Sequence, residues 1–505
     1  VSISVSGGAG GMGARLQDLR SEAGMLDAAG DEVRRWSGSV APLAVHPDVA
    51  VATLLCPGEV AAVAGSVAAA TVGANGLLVV SARLEGTAVV LRASATTYEC
   101  VDGVQQRVLE ALQHAAGFTL GAALPVLATG GTVVALGLGL SAASTPAHWP
   151  ALVLAARTVD LTRAPGALEG GLYDNPWLLE SLTRTAPGLV QGTTWSLGSL
   201  LGGPAGGFVL PFALSGGAWP SGTYEDAVGG LVNAGGLLGM FQDTGEVGVE
   251  QVDGDWADNA PRSVADVFRE QYRLGQDQGQ VQIVRVAQPD GSSAWIVQIP
   301  GTQEWGPRRG DNPVDLTTNV RLMTGESTYM QTQIQEAMRA AGVARGEPVM
   351  LTGHSQGGIT AAALASDPSF RSEFEVRSVV TGGSPIARFD IPDSVSVLSL
   401  EHDQDAVPML EGRENPDRPH WVTVERSLPS SHYTVPDPLS DAAPPLTIEA
   451  GVGAAHGTDV YTDTGRSVDA STDPSLQRWR EQQQPFFSGE AVVTRWDVTR
   501  WDVTR

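Results

Sequence analysis

Lysine is absent from this chain of 505 residues, and all 31 basic side chains are arginine. That removes Schiff-base chemistry on a lysine amine, the P-loop lysine and the Ser-x-x-Lys dyad. Cysteine is nearly absent too, with Cys56 and Cys100 alone. Two thiols cannot build a Cys-ligated metal site or a disulfide framework. They form either one disulfide, if the protein is exported, or two buried free thiols. Basic charge is in short supply, with 31 basic side chains against 56 acidic ones and a net charge of −25. A surface of that sign argues against nucleic acid and against anionic membranes, since both are held by basic patches. No basic stretch followed by an apolar core opens the sequence, so no ordinary signal peptide is read. The protein is either exported by another route or cytoplasmic. Acyl chemistry without a cofactor survives all of these exclusions.

Charge itself is scarce in one half of the chain. Residues 1–250 carry 10 Arg and 20 Asp or Glu, and residues 251–505 carry 21 and 36. The near doubling places the main boundary close to residue 250. Residues 1–115 read as a helical hairpin. Met12, Leu16, Leu19, Ala23, Leu26 and Val33 recur at three-four spacing, as do Leu77, Val80, Leu84, Ala88, Leu91, Ala95 and Tyr98. Each set makes one apolar stripe, and the first is expected to end at a Trp36-Ser37-Gly38 turn.

Residues 116–250 are apolar and rich in glycine. No charged side chain occurs in 111–156 or in 185–224. Thr119 to Ala143 is long enough to span a bilayer, although Pro125, Gly130, Gly131, Gly137 and Gly139 interrupt it. Three readings stand: a buried helical layer on the catalytic domain, a segment meeting a membrane or lipid surface, or a loosely ordered stretch.

Residues 255–487 alternate strands and helices. Val281–Val286 and Trp295–Ile299 flank Gln288-Pro289-Asp290-Gly291 and predict a hairpin. Met330, Ile334, Met338 and Ala341 share one helix face. Pro348–Thr352, Val376–Thr381 and Val395–Leu400 are short β-rich runs. The pattern predicts an α/β domain with a mostly parallel sheet covered on both faces. Asp253 to Asp258 reads as an acidic linker. Residues 488–505, with Trp496-Asp497-Val498-Thr499-Arg500 repeated once, read as a tail.

Inside this domain an apolar run enters Gly353-His354-Ser355-Gln356-Gly357 and leaves through Ile359–Ala365. A strand, a sharp turn and a helix around Gly-x-Ser-x-Gly push the serine hydroxyl out beyond the sheet. Serine is a poor nucleophile alone. It needs a histidine to take its proton and a carboxylate to orient the histidine, in the chain order Ser, acid, His. Asp405 is the first choice of acid, on a loop after an apolar run, with Asp403 and Glu401 as competitors. The histidines that follow are His420, His432 and His456. His456 is preferred because it opens a helix after a Gly/Ala loop.

Four patterns in order resemble the α/β-hydrolase fold, and more closely the fungal-type (class 3) triacylglycerol lipases, over residues 280–462. They are Ile299-Pro300-Gly301-Thr302, Gly353–Gly357, Thr381-Gly382-Gly383-Ser384-Pro385, and Asp405-Ala406-Val407-Pro408. The last pattern favours Asp405 over Asp403. His456 followed by Tyr461 fits the family better than His432-Tyr433. The resemblance implies a serine lipase or esterase with Ser355, Asp405 and His456 as triad. The oxyanion hole would be built from the backbone N–H groups of Gln356 and Thr302. It also implies a lid over residues 303–326, yet these include Arg308, Arg309, Asp311 and Asp315 and few large apolar residues. The same triad would serve an acyltransferase or thioesterase. A secreted binding protein with an inactive hydrolase domain is the reading of another class. Trp36-Ser37-Gly38 with Tyr98-Glu99-Cys100-Val101-Asp102 is similar to the hairpin substrates of type VII secretion, and implies that machinery as a partner.

Overall fold

A computed structural model describes residues 3–128, 173–214, 224–246, 248–440 and 442–500. They divide into two compact units, one of residues 12–108 and one of residues 1–11 with 109–505.

The larger unit is built on one mixed sheet. Its strands are β1 (Ile3–Gly7), β2 (Glu250–Val252), β3 (Gln280–Ala287), β4 (Ser293–Ile299), β5 (Pro348–His354), β6 (Glu375–Gly382), β7 (Ser396–His402), β8 (Trp421–Arg426) and, after a separate β9 (Tyr433–Val435) and β10 (Leu446–Ile448) pair, β11 (Ala491–Asp497). The nine run in the order β1-β8-β7-β6-β5-β4-β3-β11-β2. Strands β4 to β8 are parallel, and the outer strands join antiparallel. The expected hairpin is β3–β4, closed at Gly291 with φ +87°.

The parallel strands are apolar on both faces because helices cover both. Trp295, Val297 and Ile299 of β4 face one layer. Met330, Ile334 and Met338 of the helix Tyr329–Ala341 meet them there, with Ala361, Ala362 and Ala365 of the helix Gln356–Ser366. Ala294 and Ile296 face the other layer. Val267 and Phe268 of the helix Val264–Leu274, Tyr461 of Thr458–Ala470, and Leu476 and Trp479 of Pro474–Phe487 fill it. Local sequence starts these helices where they start. Thr328 and Gln331 form a reciprocal capping box, and Ser263 caps its helix through the Asp266 N–H.

Two readings of the sequence are corrected here. Residues 488–505 do not form a tail as a whole, because β11 lies between β3 and β2. Its Val493 and Trp496 side chains are buried. Residues 3–7 also leave the helical hairpin and pair with β8. Residues 501–505 lie outside the described residues.

Part of the 116–250 segment is a helical layer within the same unit. Gly117 and Gly121 of the helix Leu77–Ala128 face Gly188 and Gly192 of the helix Pro176–Leu214. A Cβ on any of them would lie 2.0–2.1 Å from a carbonyl oxygen of the other helix. The layer meets the loops of the sheet where the Tyr173 hydroxyl donates to the Pro429 carbonyl (2.7 Å) and Arg184 pairs with Glu414 (3.1 Å). The stretch from 129 to 143, where a span was considered, lies outside the described residues. Among the described residues, one stretch, Pro57–Tyr98, is long and apolar enough to cross a membrane by length and composition, although residues 73–76 break it into two helices, Pro57–Val72 and the start of Leu77–Ala128.

In the helical unit, Met12–Val40 pairs with the first part of Leu77–Ala128 along a seven-residue repeat of small side chains. Ala23, Gly30 and Ser37 are buried on one helix, and Ser81, Ala88 and Ala95 on the other. The Ser81 hydroxyl donates to the Gly30 carbonyl (2.9 Å). Trp36-Ser37-Gly38 is no turn, since the helix continues to Val40. Trp36 and Tyr98 are exposed. The Cys56 thiol donates to the Ala52 carbonyl, and the side chain of Cys100 lies outside the described residues.

Candidate active site

Ser355 sits between β5 and the helix Gln356–Ser366 at φ +54°, ψ −124°. A non-glycine residue in that region stores strain, typically about 1–3 kcal/mol, and the surrounding structure must hold it there. Its N–H donates to the Gly382 carbonyl (3.0 Å), and its own carbonyl accepts from Gly358 (3.0 Å) and Ile359 (3.2 Å). The flanking glycines are required by contact. A Cβ on Gly353 would lie 2.0 Å from the Gly357 carbonyl carbon, and one on Gly357 would lie 2.0 Å from the Ile299 carbonyl oxygen.

Asp405 follows β7 on a loop and is fully buried. One carboxylate oxygen, Oδ1, accepts from the Val407 N–H (2.9 Å). The other, Oδ2, lies 2.7 Å from His456 Nδ1 and 2.7 Å from the Tyr461 hydroxyl. His456 ends a short helix, Val452–Ala455, and keeps one edge partly open to solvent. With Nδ1–H donating to Asp405, its Nε2 is left as the acceptor. The ring of His354, the residue before Ser355, packs 4.4 Å from the ring of His456. Gly383, at φ +61°, lies behind the pair, where a Cβ would come within 2.8 Å of Asp405 Oδ2 and 3.0 Å of His456.

The competing residues lie elsewhere. Asp403 bonds the Ser427 hydroxyl, and Glu401 bonds Ser399 and Asn415. His420 pairs with Asp393 (3.2 Å) and His432 is exposed.

Three further side chains, Tyr461, His402 and His354, surround the pair. Burial and the charge on Asp405 push the Tyr461 hydroxyl well above its usual range, so it remains a donor. His402 stacks on the Tyr461 ring at 3.9 Å. Burial pushes His402 down to about 4 and keeps it neutral. Its Nδ1–H donates to the carbonyl of Ala455 (2.7 Å), next to His456, and its Nε2 accepts from Thr464 (2.8 Å). Burial and the neighbouring His456 hold His354 well below the usual histidine range. A neutral His354 avoids placing a second cation against a protonated His456. Only a histidine at the end of an apolar strand could have hinted at His402.

Thr302 and Gln356 lie at the two edges of the serine turn. Gln356 opens its helix, where the first N–H groups have no carbonyl behind them in the helix. Thr302 follows Gly301, whose Cβ position lies 3.4 Å from that of Ser355. The Thr302 hydroxyl accepts from Asn319 (2.8 Å), and the Gln356 side-chain amide donates to the Asp315 carbonyl (2.8 Å). The segment expected to be a lid is tied into the fold. Gln303 bonds Gly279, Leu274, Asp277 and Asn312, and Asp315 caps a helix, Leu316–Met323, through the Thr318 N–H (2.8 Å).

Among the described residues no group of three or more His, Cys, Asp or Glu side chains is arranged to hold a metal ion. Comparison with protein-family models, curated proteins and solved structures finds no match.

Proposed function

We propose that the protein is a serine hydrolase of carboxylic esters, lipid-like or short-chain, on an α/β-hydrolase scaffold resembling the class 3 lipases. The observation that carries this is Ser355 held at positive φ at the end of β5, next to His354, whose ring packs 4.4 Å from the ring of a His456 bonded to Asp405 at 2.7 Å. The strand order supports it, with β6 between the serine-bearing strand and the acid-bearing strand β7.

In this reading Ser355 Oγ attacks the ester carbonyl as His456 Nε2 takes its proton. Asp405 orients the imidazole and stabilises its cation. The N–H groups of Gln356 and Thr302 receive the charge that develops on the carbonyl oxygen. Each such donor is typically worth roughly 3–4 kcal/mol of transition-state stabilisation. His456 returns the proton to the leaving alcohol, and water activated by His456 releases the acyl group from Ser355. No cofactor enters.

A fluorophosphonate probe tests the reading, with p-nitrophenyl esters of graded chain length beside it. Labelling of the wild type and not of Ser355→Ala is expected. Absence of labelling in both would turn the reading toward an inactive binding domain. Transfer to added alcohols in preference to water would make the protein an acyltransferase.

A further inference from the structure

Arg500 is a buried cation paired with two carboxylates, and it belongs to neither the triad nor the oxyanion donors. It lies three residues beyond β11, and its side chain has no exposed surface. One guanidinium nitrogen lies 2.6 Å from Asp315 Oδ2 and also donates to the carbonyls of Gly310 and Asn312 (3.3 Å each). Another lies 2.7 Å from Asp243 Oδ1. The backbone N–H of Arg500 donates to the Asp311 carbonyl (2.6 Å). Both carboxylates are buried, at 1% and 3% side-chain exposure. The planar fork of arginine can satisfy two of them at once, which an ammonium cannot do in the same geometry.

What Asp315 does with its other atoms gives this cluster a reach into the site. Its Oδ1 caps the helix Leu316–Met323. Its backbone carbonyl receives the side-chain amide of Gln356. Asn319 of the capped helix donates to the Thr302 hydroxyl. The two residues assigned as oxyanion donors are thus both held by one short element. That element is fixed from behind by Arg500. Its partners Asp243 and Asp315 come from chain segments on either side of β4.

We propose that Arg500 is a positioning residue for the oxyanion hole, acting through Asp315 on Gln356 and, through the helix Leu316–Met323, on Thr302. The inference rests on the serine-hydrolase reading above. Removing the guanidinium leaves Asp243 and Asp315 buried without their cation, and such a pair repels or admits water. The Asp315 turn then shifts, and with it the backbone that must meet the developing oxyanion. A displacement near 1 Å at such a site costs on the order of 100-fold in rate.

The test compares Arg500→Met with Leu476→Ala, a core truncation in the helix Pro474–Phe487 that touches none of these groups. Both are assayed well below their melting temperatures. Arg500→Met is expected to lower kcat by about 10- to 100-fold with KM within about threefold. It should also weaken a boronic acid, whose tetrahedral adduct places an oxygen in the oxyanion position, by a similar factor. Leu476→Ala should lose thermal stability and keep both values. Arg500→Lys retains a buried cation but loses the fork. It covers the case in which the methionine variant does not fold, and is expected to lose kcat and boronate affinity together. The inference is overturned if the Arg500 variants keep wild-type kcat and boronate affinity, or lose no more than Leu476→Ala, while the probe still labels Ser355. Failure of the probe to label wild-type Ser355 overturns both readings.

Discussion

The Tyr461 hydroxyl and the Asp405 carboxylate are 2.7 Å apart, on the same oxygen that His456 Nδ1 approaches. Tyr461 is therefore a second orienting donor. It holds Asp405 Oδ2 toward the imidazole, while the Val407 N–H holds Oδ1.

Tyr461→Phe removes that donor and leaves the ring stacked on His402. A hydrogen bond to a charged group contributes about 1.5–3 kcal/mol net. Without it the carboxylate is less stabilised, and the charge drawn onto His456 is greater. The expected outcome is a fall in kcat of about tenfold with KM little changed, read from steady-state kinetics on a p-nitrophenyl ester. An unchanged kcat would show that Tyr461 only fills space.

Asp405→Asn offers an amide where one oxygen now meets two donors. The histidine then takes the wrong tautomer or turns away, and kcat is expected to drop about 10⁴-fold with KM little changed. Steady-state kinetics on a p-nitrophenyl ester decide it. Loss confined to KM would mean that Asp405 binds substrate instead.

The base is separated from its rival by two truncations. His456→Ala is expected to abolish turnover to the level of Ser355→Ala, since the members of a triad act as a unit. His432→Ala, at an exposed position, is expected to retain wild-type activity. The reverse result would move the base to the loop before β9.

Gly383→Ala meets two obstacles, a φ of +61° and carboxylate and imidazole atoms within 3.0 Å. A Cβ there displaces the Asp405–His456 pair. Loss of most activity is expected together with a lowered melting temperature, measured by calorimetry. Full activity would mean that the pair has room to yield.

Away from the site, Glu411 is buried beside the Ala387 and Arg388 N–H groups, and burial pushes its carboxyl up to about 8. The native state thus holds a proton that the unfolded chain releases near 4.5. Its contribution to stability is complete below pH 4.5 and is lost as pH rises toward 8. One proton gives a slope of at most about 1.4 kcal/mol per pH unit. Urea unfolding of Glu411→Gln should show the variant gaining on the wild type between pH 5 and 8, and no further above that. Parallel curves would place the ionised carboxylate in the native state.

What could be seen in the sequence is what local chemistry writes there. The turn at Ser355 is written in the five residues Gly353–Gly357, although Gly382 and Ile299 hold it from a distance, and the strands and helices around it are written in two- and three-four-residue periods. Asp405 and His456 stood out because chain order and nearby motifs narrowed the choice. Arg500 did not, because its partners Asp243 and Asp315 are remote in sequence and its pentapeptide looked like a duplicated end. β1 alternates Ile3 and Val5 with serine, but five residues beside a long helical stretch are too few to fix a strand; pairing with β8 makes it one. The helical unit misled in a different way. Its seam uses Gly30, Ser37 and Ser81, which an apolar stripe ignores, and Trp36-Ser37-Gly38 is too short a pattern to stop a helix.

The place of β11 between β3 and β2 has a consequence in time. A polypeptide leaves the ribosome N-terminus first, and domains gather as their parts emerge. When Ser355, Asp405 and His456 have all been made, β3 still lacks one of its two neighbours and the Asp243–Asp315 pair still lacks its cation. A nascent chain at that stage carries all three residues and an unfinished sheet. In the serine-hydrolase reading proposed above, turnover would have to wait for the closing strand.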